Sequence, residues 1–375
     1  MDCIKVLILE GMNRQGLSVA RALKMAGGYS VHVATGKNSL YGQFKKLLNL
    51  KIVDAYHRVD VASPDSIWVP KLIYIIEKMK IDAVLPTGQS VMAVSRAKSI
   101  LSNYCKVLVE DYEKMIRFHD KSQTMAIARA LMIPHPRTFL PETPDEAKSY
   151  AQKTGYPVVV KSRQGEGAHG VWYARDPMQL AAIYKKYFSF LNSANAALTG
   201  DSWPMLQEYI PGEVHDVPVF CIQGRMRLGL TQKRLIMNPS SGGPGIVNIT
   251  TKNHELLDYA RKISECVKWN GVMQVEFKID DRDDQPRLME VNPRFWGTTW
   301  LTVSAGLNYP HYLVSHAFGL PLDFPENYPV GLYGRWPMME LAAIFEKPTS
   351  YDRMLQRTGD FLRRFQLKNC VYYLG

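Results

Sequence analysis

"LMEVNPRFWG", residues 288–297, decides how this chain is read. Glu290, Asn292 and Arg294 stand at alternate positions, separated by Val291 and Pro293. In an extended chain successive side chains leave on opposite faces, so a carboxylate, an amide and a guanidinium share one face. Proline at 293 removes a ladder donor for no structural gain. Just upstream, "MQVEFKID" (273–280) sets Gln274, Glu276 and Lys278 on one face and Met273, Val275, Phe277 and Ile279 on the other. The polar turn "DDRDDQP" (280–286) follows. A hairpin centred on Asp283 places Glu276 opposite Glu290 and Gln274 opposite Asn292. Two opposed carboxylates repel each other, and their burial must be compensated or one must take up a proton. A divalent cation resolves the conflict, and carboxylate and amide oxygens suit Mg²⁺. Arg294 is placed to hold an anionic substrate or a transferring phosphoryl group. The competing reading is two exposed carboxylates paired with Lys278 or Arg287.

Composition narrows the class without naming a function. A chain of 375 residues is expected to form two or three domains. With 46% hydrophobic and 22% charged residues it has an ordinary globular composition. No apolar run approaches the roughly 18 residues that span a bilayer. "IKVLIL" is cut short by Glu10 and reads as a strand rather than a signal peptide. Five dispersed cysteines without a CxxC pair argue for reduced thiols in a cytoplasmic compartment, not for zinc or disulfides. The net charge of +11 is spread without a long basic block, so charge alone does not decide between nucleic acid, an anionic membrane surface and a small polyanion; the expectation is small-molecule substrates, no nucleic acid and no membrane span.

Residues 4–9 fit a buried parallel strand. Leu17, Ala20 and Leu23 then recur at helical spacing, Gly27-Gly28 is a stop, and "YSVHVAT" reads as a second strand. This is a β-α-β opening. It lacks the dinucleotide fingerprint, because Asn13 stands where the middle glycine is required. The Walker pattern fails too, since Leu17-Ser18 replaces Lys-Ser/Thr. The expectation is a Rossmann-like domain without its nucleotide, whose strand ends can still meet a substrate.

Further on, Gly165, Gly167 and Gly170 match G-x-G-x-x-G, but the loop follows "PVVVK" and leads into "VWYA", a strand rather than a helix. A glycine-rich hairpin of this kind can fold over phosphates, its N–H groups approaching closely. Lys161 at its base would neutralise phosphate charge. A protein kinase is excluded, since the lysine precedes the loop and no HRD or DFG set follows. A plain surface turn is the alternative.

Taken in order, Lys121 after "FHD", then "VVVKSRQGEGAHGV", "QEYIPGE", the "VEF" glutamate and "MEVNPRFWG" resemble the ATP-grasp superfamily of carboxylate–amine ligases. The resemblance covers most of residues 1–320. It implies an α/β and α+β fold, with a Rossmann-like pre-ATP-grasp domain (1–114) followed by a two-lobed ATP-grasp fold. Residues 115–204 would be the small lobe with the glycine-rich lid, 205–330 the C-terminal lobe with the Mg-binding hairpin, and 331–375 a C-terminal extension packed on the core. The cofactors implied are ATP and Mg²⁺, as two ions, a role Mn²⁺ can also fill.

By the same resemblance Lys121 and Lys161 contact ATP phosphates, and Gly165, Gly167 and Gly170 form the phosphate lid. Gln207, Glu208, Tyr209 and Ile210 recognise adenine, mostly through backbone, and Glu213 binds ribose hydroxyls. Glu276, Glu290 and Asn292 hold the metal, and Arg294, with Lys161, is catalytic. Lys233, Arg234 and Gly243, around the loop "MNPSSGGPGIVNIT" (237–250), are implied to meet the substrate. Two departures stand out: Pro218 where many relatives carry an acid, and Ala168-His169 where they often carry serine. The implied activity is ATP-dependent amide formation from a carboxylate and an amine, amino acids being the default substrates, in a cytoplasmic protein that can form a homodimer. A biotin-carboxylase-like or formate-activating enzyme and a non-catalytic ATP-binding regulator are the alternatives.

Overall fold

The computed structural model describes residues 3–36, 52–164, 170–193, 203–239, 242–345, 359–362, 364 and 369–373. The chain opens with β1 (Ile4–Leu9), α1 (Arg14–Ala26), β2 (Tyr29–Thr35), β3 (Ala55–Arg58), α2 (Asp65–Met79), β4 (Ala83–Pro86), α3 (Ser90–Arg96), α4 (Lys98–Leu101) and β5 (Lys106–Val107). Its five strands form a parallel sheet in the order β3-β2-β1-β4-β5. β1 lies at the centre, which is why it is an unbroken apolar run. The incomplete glycine fingerprint has a packing explanation. Asn13 is the N-cap of α1, its side chain accepting from the Gly16 N–H at 2.7 Å. A Cβ on Gly16 would sit 2.5 Å from the Gly11 Cα, so these glycines let turn and helix touch.

Two helices, α5 (Tyr112–His119) and α6 (Lys121–Ala130), lead to a smaller unit. It contains β6 (Thr138–Phe139), α7 (Pro144–Thr154), β7 (Val158–Lys161), β8 (Val171–Ala174), α8 (Pro177–Ser193) and β9 (Met205–Glu208). Its four-stranded antiparallel sheet runs β6-β9-β7-β8. This corrects the expected lobe boundary at 204/205. β9 hydrogen-bonds to β6 and β7, so the small lobe extends through Glu208.

The large lobe comprises β10 (Gly212–Ile222), β11 (Arg225–Gly229), β12 (Thr231–Met237), β13 (Gly245–Thr251), α9 (His254–Cys266), β14 (Gly271–Asp280), β15 (Pro286–Asn292), α10 (Thr299–Ser304), α11 (Tyr309–Ala317), β16 (Tyr333–Arg335), α12 (Pro337–Phe345) and β17 (Cys370–Tyr372). Its eight-stranded sheet runs β15-β14-β10-β12-β13-β16-β17, with β11 on β10. The described part of the C-terminal segment therefore contributes strands to the sheet instead of only packing on it. One face of β10 and β14 buries Val217, Val219, Met273, Val275 and Phe277 against α9. On the other face Phe220 and Val272 join Leu17, Trp296 and Tyr309 in one core shared with α1. Each such side chain contributes roughly 1.5–3 kcal/mol, so the first domain is fixed against the large sheet by apolar burial. Among the described residues no helix is long and apolar enough to cross a membrane.

His32 and His57 stack in neighbouring strands with ring centroids 5.2 Å apart and Nδ1 to Nε2 at 3.0 Å. Burial depresses both pKa values, and for His32 the charge of His57 depresses it further. The unfolded chain therefore binds more protons than the folded one below about pH 6.5. The stability supplied by the neutral pair is present above that pH and lost as pH falls. Urea midpoints at pH 7.5 and 5.5 should show a smaller decrease for His57→Gln than for the parent chain.

Candidate active site

β14 and β15 pair with Gln274 opposite Asn292 and Glu276 opposite Glu290. The register then shifts, with Phe277 opposite Leu288, so a bulge follows the glutamate pair. On the other side of β14, Glu276 pairs with Asp216 of β10. Three carboxylates thus form a row across three strands. Asp216 is fully buried, and the sequence reading missed it. Its signal is a lone acid inside the apolar strand "VHDVPVF".

Arg234 of β12 neutralises this row. It grips Asp216 with Nε at 2.9 Å and Nη2 at 2.6 Å, and its Nη2 also donates to Glu276. Its Nη1 donates to the Gly243 carbonyl at 3.3 Å. Gln232 Nε2 supports Asp216 at 3.0 Å and Thr298 Oγ1 at 2.5 Å. Burial disfavours the Arg234 charge, but Asp216 and Glu276 outweigh it and raise its pKa.

The two facing glutamates are driven apart in acidity. Burial, opposed by Arg234 but reinforced by Glu290 and Asp216, raises the Glu276 carboxyl. Glu290 is also penalised by burial, yet Lys121, the Asn292 amide, Lys161 and Arg234 outweigh that penalty and lower it. Asn292 Nδ2 donates to Glu290 Oε1 at 2.9 Å, and Arg294 Nη2 donates to Asn292 Oδ1 at 3.3 Å. Lys278 Nζ donates to the Ile210 carbonyl at 2.8 Å, and Arg287 pairs with Asp283 at 2.5 Å.

The two lysines reach this centre from the small lobe and from α6. Asp120 caps α6 through the Ser122 N–H at 2.8 Å and pairs with Arg163 at 2.5 Å. The Lys121 N–H donates to the Arg163 carbonyl at 2.9 Å, which ties the start of α6 to the end of β7. Lys161 closes β7 and is buried. Burial pushes its ammonium down to about 8, although Glu290 pulls in the opposite direction. Lys121, Phe118, Glu290, Asn292 and Arg294 line one recess. Arg294 also lines a cavity of about 300 Å³ shared with Glu110, Trp269 and Leu313.

The other sequence candidates are held by contacts of their own. Lys233 and Arg234 do not act as one basic pair, because consecutive residues leave opposite faces of β12; Lys233 pairs with Glu213 at 2.6 Å. Glu208 is held by Arg137 at 2.5 Å. The buried Gln207 donates through Nε2 to Thr138 Oγ1 at 2.9 Å. Tyr209 meets Tyr173 edge-on with centroids 5.9 Å apart. Gly165 and Gly167 lie outside the described residues. Gly170 has φ +77°, and a Cβ there would stand 2.6 Å from Ser162 Oγ, so the hairpin base requires glycine.

Among the described residues no group of three or more His, Cys, Asp or Glu is arranged to hold a metal ion. Glu276, Glu290 and Asn292 form a smaller oxygen set, which fits Mg²⁺ because that ion keeps several waters and takes phosphate oxygens. Asp216 is engaged by Arg234 and Gln232 instead.

Residues 202–331 match the family model described as ATP-grasp in the biosynthetic pathway with Ter operon. Residues 120–210 match the carbamoyl-phosphate synthase L chain, ATP binding domain. The chain belongs to the ATP-grasp superfamily. It is 24% identical over 292 residues to the carbamoyl phosphate synthase large chain, N-terminal section, of Methanopyrus kandleri, covering 74% of this chain and 49% of that protein. The chain thus spans about half of that relative, and about a quarter of the large chain from Pyrococcus furiosus. In fold this ATP-grasp chain is similar to biotin carboxylase from Campylobacter jejuni, with a TM-score of 0.70 at 19% identity over 88% of this chain and 74% of that one. It is also similar to the L-amino acid ligase from Bacillus licheniformis, with a TM-score of 0.63 at 16% identity over 86% and 76% of the two chains.

Removing one partner of the buried Asp216–Arg234 pair strands the other. Asp216→Ala should cost about 3–5 kcal/mol of stability, read as a fall in the urea unfolding midpoint. Gln232→Ala, which leaves the ion pair intact, should cost far less.

Proposed function

We propose that this chain is an ATP-dependent carboxylate–amine ligase working through an acyl phosphate. The observation that carries the reading is the facing pair Glu276 and Glu290, with Asn292 and Arg294 beside it, Lys121 reaching in from α6 and Lys161 from the small lobe. A row of acids flanked by cations from separate elements suits a polyphosphate bound through metal. Mg²⁺ held by Glu276, Glu290 and Asn292 would neutralise the phosphates.

In this reading Lys121 and Lys161 bind phosphate oxygens, and Lys161, with its lowered pKa, still carries its charge through most of the neutral range. The substrate carboxylate attacks the γ-phosphate and ADP leaves. The amine then displaces phosphate and forms the amide. Arg294 steadies the charge that develops on the transferring group. The glycine-rich segment that follows Lys161 in sequence would keep water from the acyl phosphate. The segment after β9 holds the adenine, and Glu213 the ribose. Arg234 is assigned a holding role, fixing Glu276 through its ion pairs, and not capture of a free carboxylate. A structurally similar biotin carboxylase domain solved bound to bicarbonate makes bicarbonate the acid to test beside larger ones.

ADP release from Mg·ATP should be stimulated by particular acid–amine pairs drawn from amino acids, other carboxylic acids and bicarbonate. Glu290→Gln and Arg294→Ala should each lower kcat at least about a hundred-fold. Stimulation by bicarbonate alone would replace the larger acid by bicarbonate. Nucleotide binding without turnover for any acid would count against a ligase and for a regulator that binds ATP. Metal withdrawal with EDTA should abolish turnover, and Mg²⁺ or Mn²⁺ should restore it.

A further inference from the structure

Arg14 is the first residue of α1 and comes from the first domain, yet its side chain ends in the large lobe. Its guanidinium lies 4.0 Å from the Trp336 ring centroid and 5.0 Å from that of Tyr373. Nη2 donates to the Gly245 carbonyl at 3.2 Å. Gly297, the last residue of "LMEVNPRFWG", lies against it: a Cβ there would be 3.4 Å from Nη1. Arg234 donates to the carbonyl of Gly243, two residues before Gly245, so the same short segment receives both arginines.

Charge pairing separates Arg14 from its neighbours. Arg234 has Asp216 and Glu276, and the buried Arg335 has Glu340 at 2.9 Å. Arg14 has no acidic partner among the described residues, and its Nε is enclosed without an acceptor. Burial lowers its pKa to about 10, opposed by the charge and hydrogen bond of the Tyr373 hydroxyl and reinforced by the charge of Arg234. Close by, the fully buried Asn248 has neither Nδ2 nor Oδ1 hydrogen-bonded, and Oδ1 stands 2.1 Å from where a Gly245 Cβ would be. Gln232 Oε1 is likewise without a partner. A cation met only by neutral groups, beside amide atoms without partners, is unfavourable unless a ligand completes it. Aromatic rings on the guanidinium fix its direction without cancelling its charge.

We propose that Arg14, clamped by Trp336 and Tyr373, receives a small anionic group, a carboxylate or a phosphate ester, on the substrate that is not ATP. This rests on the ligase reading for the word substrate, and on the geometry alone for the anion site. The first domain then contributes a charge to substrate recognition, and the β16 and β17 segments aim it. Arg14 is a binding residue, and Trp336 and Tyr373 are positioning residues.

Thermal melts of the full chain test this with acetate, succinate and inorganic phosphate as probes, each with and without Mg²⁺ and a non-hydrolysable ATP analogue. At least one probe should raise the wild-type Tm. Arg14→Met should abolish that rise and Arg14→Lys retain part of it. Without probe, Arg14→Met should melt at the wild-type temperature or above, because an unpaired charge has been removed; a fall of more than about 4 °C would make Arg14 a structural staple and overturn the proposal. So would a wild type indifferent to all three probes, or a shift that survives in Arg14→Met. Response to acetate or succinate assigns a carboxylate, and response to phosphate alone a phosphate ester. The analogue's own shift should be equal in wild type and Arg14→Met. If the analogue fails to act on the wild type while the probes do, the ligase reading falls and the anion site stands. For an acid that supports turnover, Arg14→Met should raise its KM at least ten-fold and leave the KM for ATP unchanged; the Tyr373→Phe ring should keep most of the effect.

Discussion

The structure depends on how three carboxylates are kept in one row. Asp216, Glu276 and Glu290 lie side by side on β10, β14 and β15. Without a cation their mutual repulsion would open the sheet or protonate the row. Arg234 answers from β12 by taking Asp216 with two nitrogens and Glu276 with one of them. Glu290, at the edge of the row, is left to the influence of Lys121, Lys161 and Asn292. The division matters chemically. One end of the row is closed by a permanent ion pair, and the other faces cations that arrive from different elements.

The alternation in "LMEVNPRFWG" and "MQVEFKID" was enough to place Glu276 opposite Glu290, because turn length and hydrophobic pattern both constrain a hairpin register. The two strands on either side of the glycines were legible for the same reason: a β-branched run precedes them and the aromatic-rich "VWYA" follows. Asp216 was not legible, since a single acid in an apolar strand gives no partner until β12 is laid beside it. The Lys233–Arg234 pair misled because sequence adjacency in a strand means opposite faces. The boundary of the small lobe was misplaced because β9 finds its partners, β6 and β7, far back in the chain, a pairing no local pattern announces. Arg14 lay inside a motif dismissed for its missing glycine, and its contacts come from residues more than two hundred positions away.

Rigidity is distributed to match these needs. Phe220, Val272, Trp296 and Tyr309 are shared between the first domain and the large sheet, so those two units form one packed body. The small lobe has its own core, built from Ala147, Val158, Leu180 and Leu206. The bonds of Asp120 and Lys121 to Arg163 are among the polar links that tie its inner edge to the rest. A unit with a separate core and polar links can shift relative to a body whose core is continuous.

Tyr373 carries a consequence for how the molecule is made. Its ring covers Arg14, its hydroxyl accepts from the Leu301 N–H at 3.2 Å, and β17 beside it is parallel to β16. A parallel neighbour cannot be reached by a tight turn, and this contact closes a loop over nearly all of the chain. Helices and hairpins nearer the start can form while the polypeptide is still emerging from the ribosome. The arginine clamp cannot. Residues 370–373 must leave the ribosome before the first helix acquires its aromatic cover, so this corner of the molecule is assembled later than the local helices and hairpins that precede it.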